Sequence, residues 1–145
     1  ARPLPHDGVS LRFLPLTSSA LGGRVLRDVR AYPQQHLCDT GFSPLFPLRG
    51  RHTRTLAERF IADGFAAVAV CVDTKQIDGS FAGRNFDRQF VSDLIAPADP
   101  CGENGEFHTF VTDGPIFSEP VACSIGERVL RDARFLYCDL VPVTL

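Results

Sequence analysis

Phe65-Ala66-Ala67-Val68-Ala69-Val70-Cys71-Val72 is the longest uninterrupted apolar run in the chain, and it stops at Asp73. A run of this kind reads as a strand covered on both faces, the pattern of a parallel strand in an α/β sheet. The residues before it read as a helix. Thr53 stands at an N-cap position, Leu56, Phe60 and Ile61 share one face, and Gly64 occupies the place of a C-terminal glycine. Helix followed by strand predicts an α/β unit.

Downstream, Gly79 to Arg84 reads as a loop, and Asn85 to Ile95 as a helix with Phe86, Phe90, Val91 and Leu94 on one face, ended by Pro97 and Pro100. Glu106 to Thr112 alternates, Val121 to Ile125 is short and β-prone, and Gly126–Leu130 with Arg134–Val143 flank Arg131-Asp132-Ala133 as an antiparallel hairpin. Upstream, Val9 to Leu16 alternates but carries Pro15, Ser18, Ser19, Gly22 and Gly23 suit a loop, and Arg24 to Tyr32 has helical spacing before Pro33. The fold class expected is α/β: mixed α+β, with a small parallel sheet followed by antiparallel strands.

Composition narrows the function classes. In 145 residues, 44% are hydrophobic and 22% charged, so a core forms by burial and disorder is excluded. A formal net charge of −2 argues against a nucleic-acid partner, and no apolar run is long enough to cross a bilayer. The five cysteines include no C-x-x-C pair, which fits small buried hydrophobes in a reducing cytoplasm. The absence of methionine suggests a fragment or processed product.

The densest polar constellation is Asp99-Pro100-Cys101-Gly102-Glu103-Asn104-Gly105-Glu106-Phe107-His108-Thr109. Gly102 and Gly105 permit tight turns and close approach of a ligand. Glu103, Glu106 and His108 are candidates for proton transfer, and Asn104 and Thr109 for orienting a substrate. Alternation from Glu106 places Glu106, His108 and Phe110 on one face, with Phe107, Thr109 and Val111 on the other. A plain polar turn is the alternative. No metal is expected, because no ligand spacing supports one, and nothing nearby activates Cys101 for a Cys101–His108 nucleophile pair.

The same constellation, together with Pro44-Leu45-Phe46-Pro47-Leu48, the segment from Phe60 to Asp73, Gly83-Arg84 and the closing Gly126 to Pro142, resembles the diphthine-ammonia ligase family of ATP-dependent amide-forming enzymes of the PP-loop type. The wording G-E-N-G-E-F-H-T is closer to the bacterial branch. The resemblance implies a carboxylate substrate activated with ATP and magnesium, then displaced by ammonia to leave an amide. It also implies three segments: residues 1–21 an unrecognised junction, 22–43 the remnant of a nucleotide-binding half, and 44–145 a substrate-binding C-terminal domain. No S-G-G-K-D-S phosphate loop occurs, so ATP is not expected to bind this chain tightly, and the missing half or self-association is the partner implied. Arg49 stands where the family usually carries tryptophan, and Gly22 to Asp28 keeps only part of the family's wording there. Glu103, Glu106 and His108 are the catalytic candidates. Gly102, Asn104, Gly105, Thr109, Asp73 and Arg84 are the substrate-binding ones. The competing expectation is a noncatalytic binding module, from a truncated or decayed relative.

Overall fold

A computed structural model describes residues 18–20, 43–45, 47–48 and 50–143. The chain divides into two compact units, Ala1–Gly50 and Arg51–Leu145. In the first, β1 (Ser18–Ala20) and β2 (Ser43–Leu45) form a short parallel pair. Ser18 and Ser19, read as a loop from their side chains, are therefore strand residues, because backbone pairing with a distant segment overrides local preference. The strand expected at 9–16 and the helix expected at 24–32 lie outside the described residues.

The second unit runs α1 (Thr53–Ala62), β3 (Ala66–Asp73), a 3-10 turn (Gly79–Phe81), α2 (Arg88–Asp93), β4 (Phe107–Asp113), β5 (Cys123–Arg131) and β6 (Phe135–Pro142). Its strands form one sheet in the order β4-β3-β6-β5, antiparallel at every pairing. The parallel reading of Phe65 to Val72 is thus corrected. A continuous apolar run reports burial and says nothing of strand direction.

Two helix starts differ from expectation. His52 is the N-cap of α1, without a side-chain cap bond, and Thr53 is the first helical residue. At the other end Gly64 adopts φ +86°, and its N–H donates to the Ile61 carbonyl at 3.1 Å. α2 is shorter than the segment 85–95 because Asn85 and Phe86 are used by the sheet: Phe86 N donates to the Ala67 carbonyl at 2.8 Å, and Asn85 bridges Val68. Asp87 then caps α2 by accepting from Phe90 N at 2.8 Å.

The core lies on one face of the sheet. Ala67, Ala69 and Val72 of β3 point there with Phe107 and Cys138, against Ala57 of α1 and Phe90 and Val91 of α2. Phe90 sits at the centre, with ring centroids of Phe81, Phe86 and Phe107 at 4.9, 5.2 and 5.1 Å. Full burial of such a ring is worth about 1.5–3 kcal/mol.

The opposite face is not covered by these helices, and its shape follows from an irregularity in β3. Ala69 pairs with Thr109 but Cys71 pairs with His108, so Val70 is an extra residue in a β-bulge. Val70 is only half-buried as a result. β3 pairs with β6 over Cys71–Asp73 alone. Before the bulge, Gly83–Arg84 takes that edge, with Gly83 N donating to the Ala69 carbonyl at 2.7 Å and Ala69 N to the Arg84 carbonyl at 2.9 Å. Gly83 holds φ +80°, and a Cβ there would meet the Cys138 sulfur at 2.9 Å, so only glycine fits the fork between β3 and β6. At the far end, Val121 N donates to the Thr112 carbonyl and Val143 N to the Ala122 carbonyl, which ties the approach to β5 across from β4 to β6. The open face is curled into a trough.

The hairpin expected near Arg131 is present as β5 and β6, joined through Asp132, Ala133 and Arg134, with φ 52° and 46° at the first two and Arg134 N donating to the Arg131 carbonyl at 3.0 Å. Among the described residues no helix is long and apolar enough to cross a membrane, and Cys71, Cys123 and Cys138 are free thiols.

Candidate functional site

The glycine-rich constellation forms a compact loop between α2 and β4. Its turns are closed by backbone bonds from Gly102 N to the Asp99 carbonyl at 2.9 Å and from Gly105 N to the Gly102 carbonyl at 3.0 Å. Gly102 holds φ +66°, and a Cβ there would come within 2.7 Å of the Phe107 carbonyl oxygen, so the loop could not close on any other residue.

Glu106 organises this loop from inside. Its side chain is 2% exposed, and its carboxylate accepts from Asp99 N at 2.7 Å, Asn104 N at 2.9 Å and Asn104 Nδ2 at 3.0 Å. Burial pushes this carboxyl up, but the bonds from the Asp99 N–H and the Asn104 side chain and backbone outweigh it, and the group lies below its ordinary range. The expected shared face of Glu106 and His108 is not found. Glu106 precedes β4 and turns into the loop, so strand alternation does not apply to it.

A second buried carboxylate stands behind the first. Asp73 is 1% exposed at the end of β3 and accepts from Arg134 Nε at 2.9 Å, Arg134 Nη2 at 2.5 Å, Gln76 Nε2 at 2.9 Å and Lys75 N at 3.1 Å. The Arg134 guanidinium above all, with Gln76 and the Lys75 N–H, holds its carboxyl far below the usual range, and Asp73 in turn raises Arg134. Asp73 N donates to the Glu106 carbonyl at 2.9 Å, and Gln76 Nε2 also reaches the Asn104 carbonyl at 3.3 Å. The loop, the end of β3 and the β5–β6 turn therefore form one hydrogen-bonded block.

Arg84 also has internal partners. Its Nη2 donates to Asp93 Oδ2 at 2.6 Å, and its guanidinium lies over the rings of Phe81 and Phe90 at 4.7 and 5.6 Å. The remaining candidates are accessible: Glu103 is half-buried, and Asn104, Gly105, His108 and Thr109 are exposed. Register sends the last two apart, His108 to the open face opposite Cys71 and Thr109 to the opposite face across from Ala69.

On the open face His108, Cys71 and Tyr137 form a row across β4, β3 and β6. Burial pushes the Cys71 thiol up, helped by the Asp73 charge and opposed by a hydrogen bond with Tyr137. Gln76, Arg134 and Tyr137 were not singled out from sequence. Arg134 meets Asp73 across 61 positions, a distance at which no spacing rule operates. Among the described residues no group of three metal-binding side chains converges.

Residues 52–138, more than half of the chain, match the family model described as the diphthamide synthase C-terminal domain. No curated protein matches the chain.

Proposed function

The chain belongs to the diphthamide synthase C-terminal domain family, and on that premise we propose that its second unit is the substrate-recognition part of an ATP-dependent amide-forming ligase. The observation that carries this reading is the division of labour around the loop. Glu106 is consumed in holding it, while Glu103 stands on its surface, and the loop leads into β4, whose second residue is His108. Ammonium arriving at such a site must lose a proton before its nitrogen attacks an activated carboxyl group. Glu103 is the carboxylate in position to take it, with His108 the second candidate for proton transfer. Asn104, Gly105 and Thr109 are the candidates for orienting the acid.

The described residues do not fit a magnesium nucleotide. The first turn of α2 is already capped by the Asp87 carboxylate, which repels a phosphate, and no glycine-rich run leads into α1. Activation of the acid therefore belongs to a nucleotide-binding half, in a longer polypeptide or an associating partner, without which this unit is inactive. The free thiols of Cys71, Cys123 and Cys138 support a reducing, cytoplasmic setting. The lack of a phosphate loop in the sequence favours one second reading, a noncatalytic module that binds the acid.

The test is amide formation by this unit joined to a nucleotide-binding half of the family, following AMP release that depends on both acid and ammonia. Glu103→Gln is expected to lower the rate by about 10²–10⁴, as for loss of a general base, with unchanged melting. Parent-like rates in both Glu103→Gln and His108→Asn would remove the catalytic reading.

A further inference from the structure

The trough on the open face has a volume of about 520 Å³, inside the range of roughly 300–1,000 Å³ found for small-molecule sites. Its walls are mostly apolar, with Val70, Phe110, Val121, Leu140 and Pro142 among them, and Phe110 is 45% exposed. Neither core face nor loop uses this surface. Its long axis has two different ends. The polar row of His108, Cys71 and Tyr137 lies at the end nearest the motif loop, because His108 follows Glu106 by two residues. The other end is closed by the bond from Val121 N to the Thr112 carbonyl at 2.7 Å. Asp139 is the one acidic lining residue among the described ones, and no lysine or arginine lines the trough.

We propose that this trough binds the apolar body of the substrate acid, with the carboxyl group at the His108–Tyr137 end and the body extending toward Thr112 and Val121. The proposal rests on the amide-ligase reading and names the class of acid: one with an alkyl or aryl body that carries no second negative charge. Three features argue for it. A lining without cations, and with Asp139 exposed, cannot stabilise an anion along its length, so the body of the occupant carries no negative charge. His108, Cys71 and Tyr137 stand together at one end, with Asp139 two residues farther along β6, and that asymmetry orients the molecule. That end adjoins the loop carrying Glu103, so an acid seated lengthwise presents its carboxyl group to the proposed chemistry.

The probe is 4-phenylbutyrate, titrated into the isotope-labelled full chain and followed by NMR, with acetate as the acid that lacks a body. Saturable shifts are expected at Cys71, His108, Phe110 and Tyr137 with 4-phenylbutyrate and not with acetate. Ala122→Trp places a large ring at the exposed rim and should weaken binding about tenfold or more without lowering the melting temperature. Arg88→Ala, in the separate groove between α1 and α2, should leave binding unchanged. Equal binding of acetate, shifts confined to other surfaces, or parent affinity in Ala122→Trp would overturn the proposal, as would a trough that admits no probe because another part of the chain fills it. The two readings fail separately. Probe binding in the trough with no amide formation by the joined enzyme removes the ligase reading alone, and amide formation without probe binding removes the trough.

Discussion

Glu106 and His108 are two residues apart, yet they belong to opposite regimes of the molecule. Glu106 is sealed in a block where its carboxylate, and that of Asp73 behind it, accept seven hydrogen bonds between them. His108 stands on an exposed face that holds a cavity and no core. The contrast shows that a carboxylate in a polar run can be structural because it is fully used, while neighbours in the same run stand open to solvent. A buried acid stripped of its donors would cost stability, whereas a change at an open position should cost little.

The sharpest break between the two regimes comes from charge placed on either face of the sheet. Val72→Asp, at a residue with no exposure, should abolish cooperative folding, since an unpaired buried charge costs several kcal/mol against a total of about 5–15. Phe110→Asp, on the open face, should stay folded with a melting temperature near the parent's. Circular dichroism melts of the two variants check this, and equal behaviour would erase the distinction.

Acid comes next in size. Asp73 and Glu106 are both held below their ordinary values, so their contribution is complete above the unfolded carboxyl range, near pH 4, and is lost as pH falls through the lower folded values. Melting temperature should be flat from pH 7 to about 5 and then decline steeply. Asp73→Asn should start lower at pH 7 and show a shallower decline. A variant that keeps the parent's slope would show that the block carries no linkage.

The smallest effect sharpens the anchoring of the block by its turn. Ala133 holds φ 46°, a left-handed conformation that a non-glycine residue adopts at a cost of about 1–2 kcal/mol. Ala133→Gly should relieve that strain and, after the entropy of glycine, stabilise the fold by about 0.5–1 kcal/mol in urea titration. A loss of stability would contradict the turn geometry.

The sequence made some of this legible for physical reasons. α1 was readable because Leu56, Phe60 and Ile61 repeat at helical spacing and Gly64 marks the stop, all of it local information. The β5–β6 hairpin was readable from two β-prone runs around a short polar turn. The direction of β3 was not, because pairing partners do not alter an apolar run, and neither was the bulge at Val70, which exists only in register with His108. At the candidate site, the residue types in the loop were visible, but their division was not. Whether Glu106 faces solvent or Asp99 N depends on the path of seven residues of loop, and whether Asp73 is free depends on Arg134, 61 positions away.

The central claim is that the two glutamates of one loop do different work, and melting the two amide variants side by side tests it most directly. Glu106→Gln replaces an ionised acceptor of three hydrogen bonds and should destabilise by about 1–3 kcal/mol, roughly 4–8 °C of melting temperature for each kcal/mol in a small domain. Glu103→Gln, on the loop surface, should stay within about 0.5 kcal/mol of the parent. Equal shifts in the two variants, or a larger one in Glu103→Gln, would contradict the account.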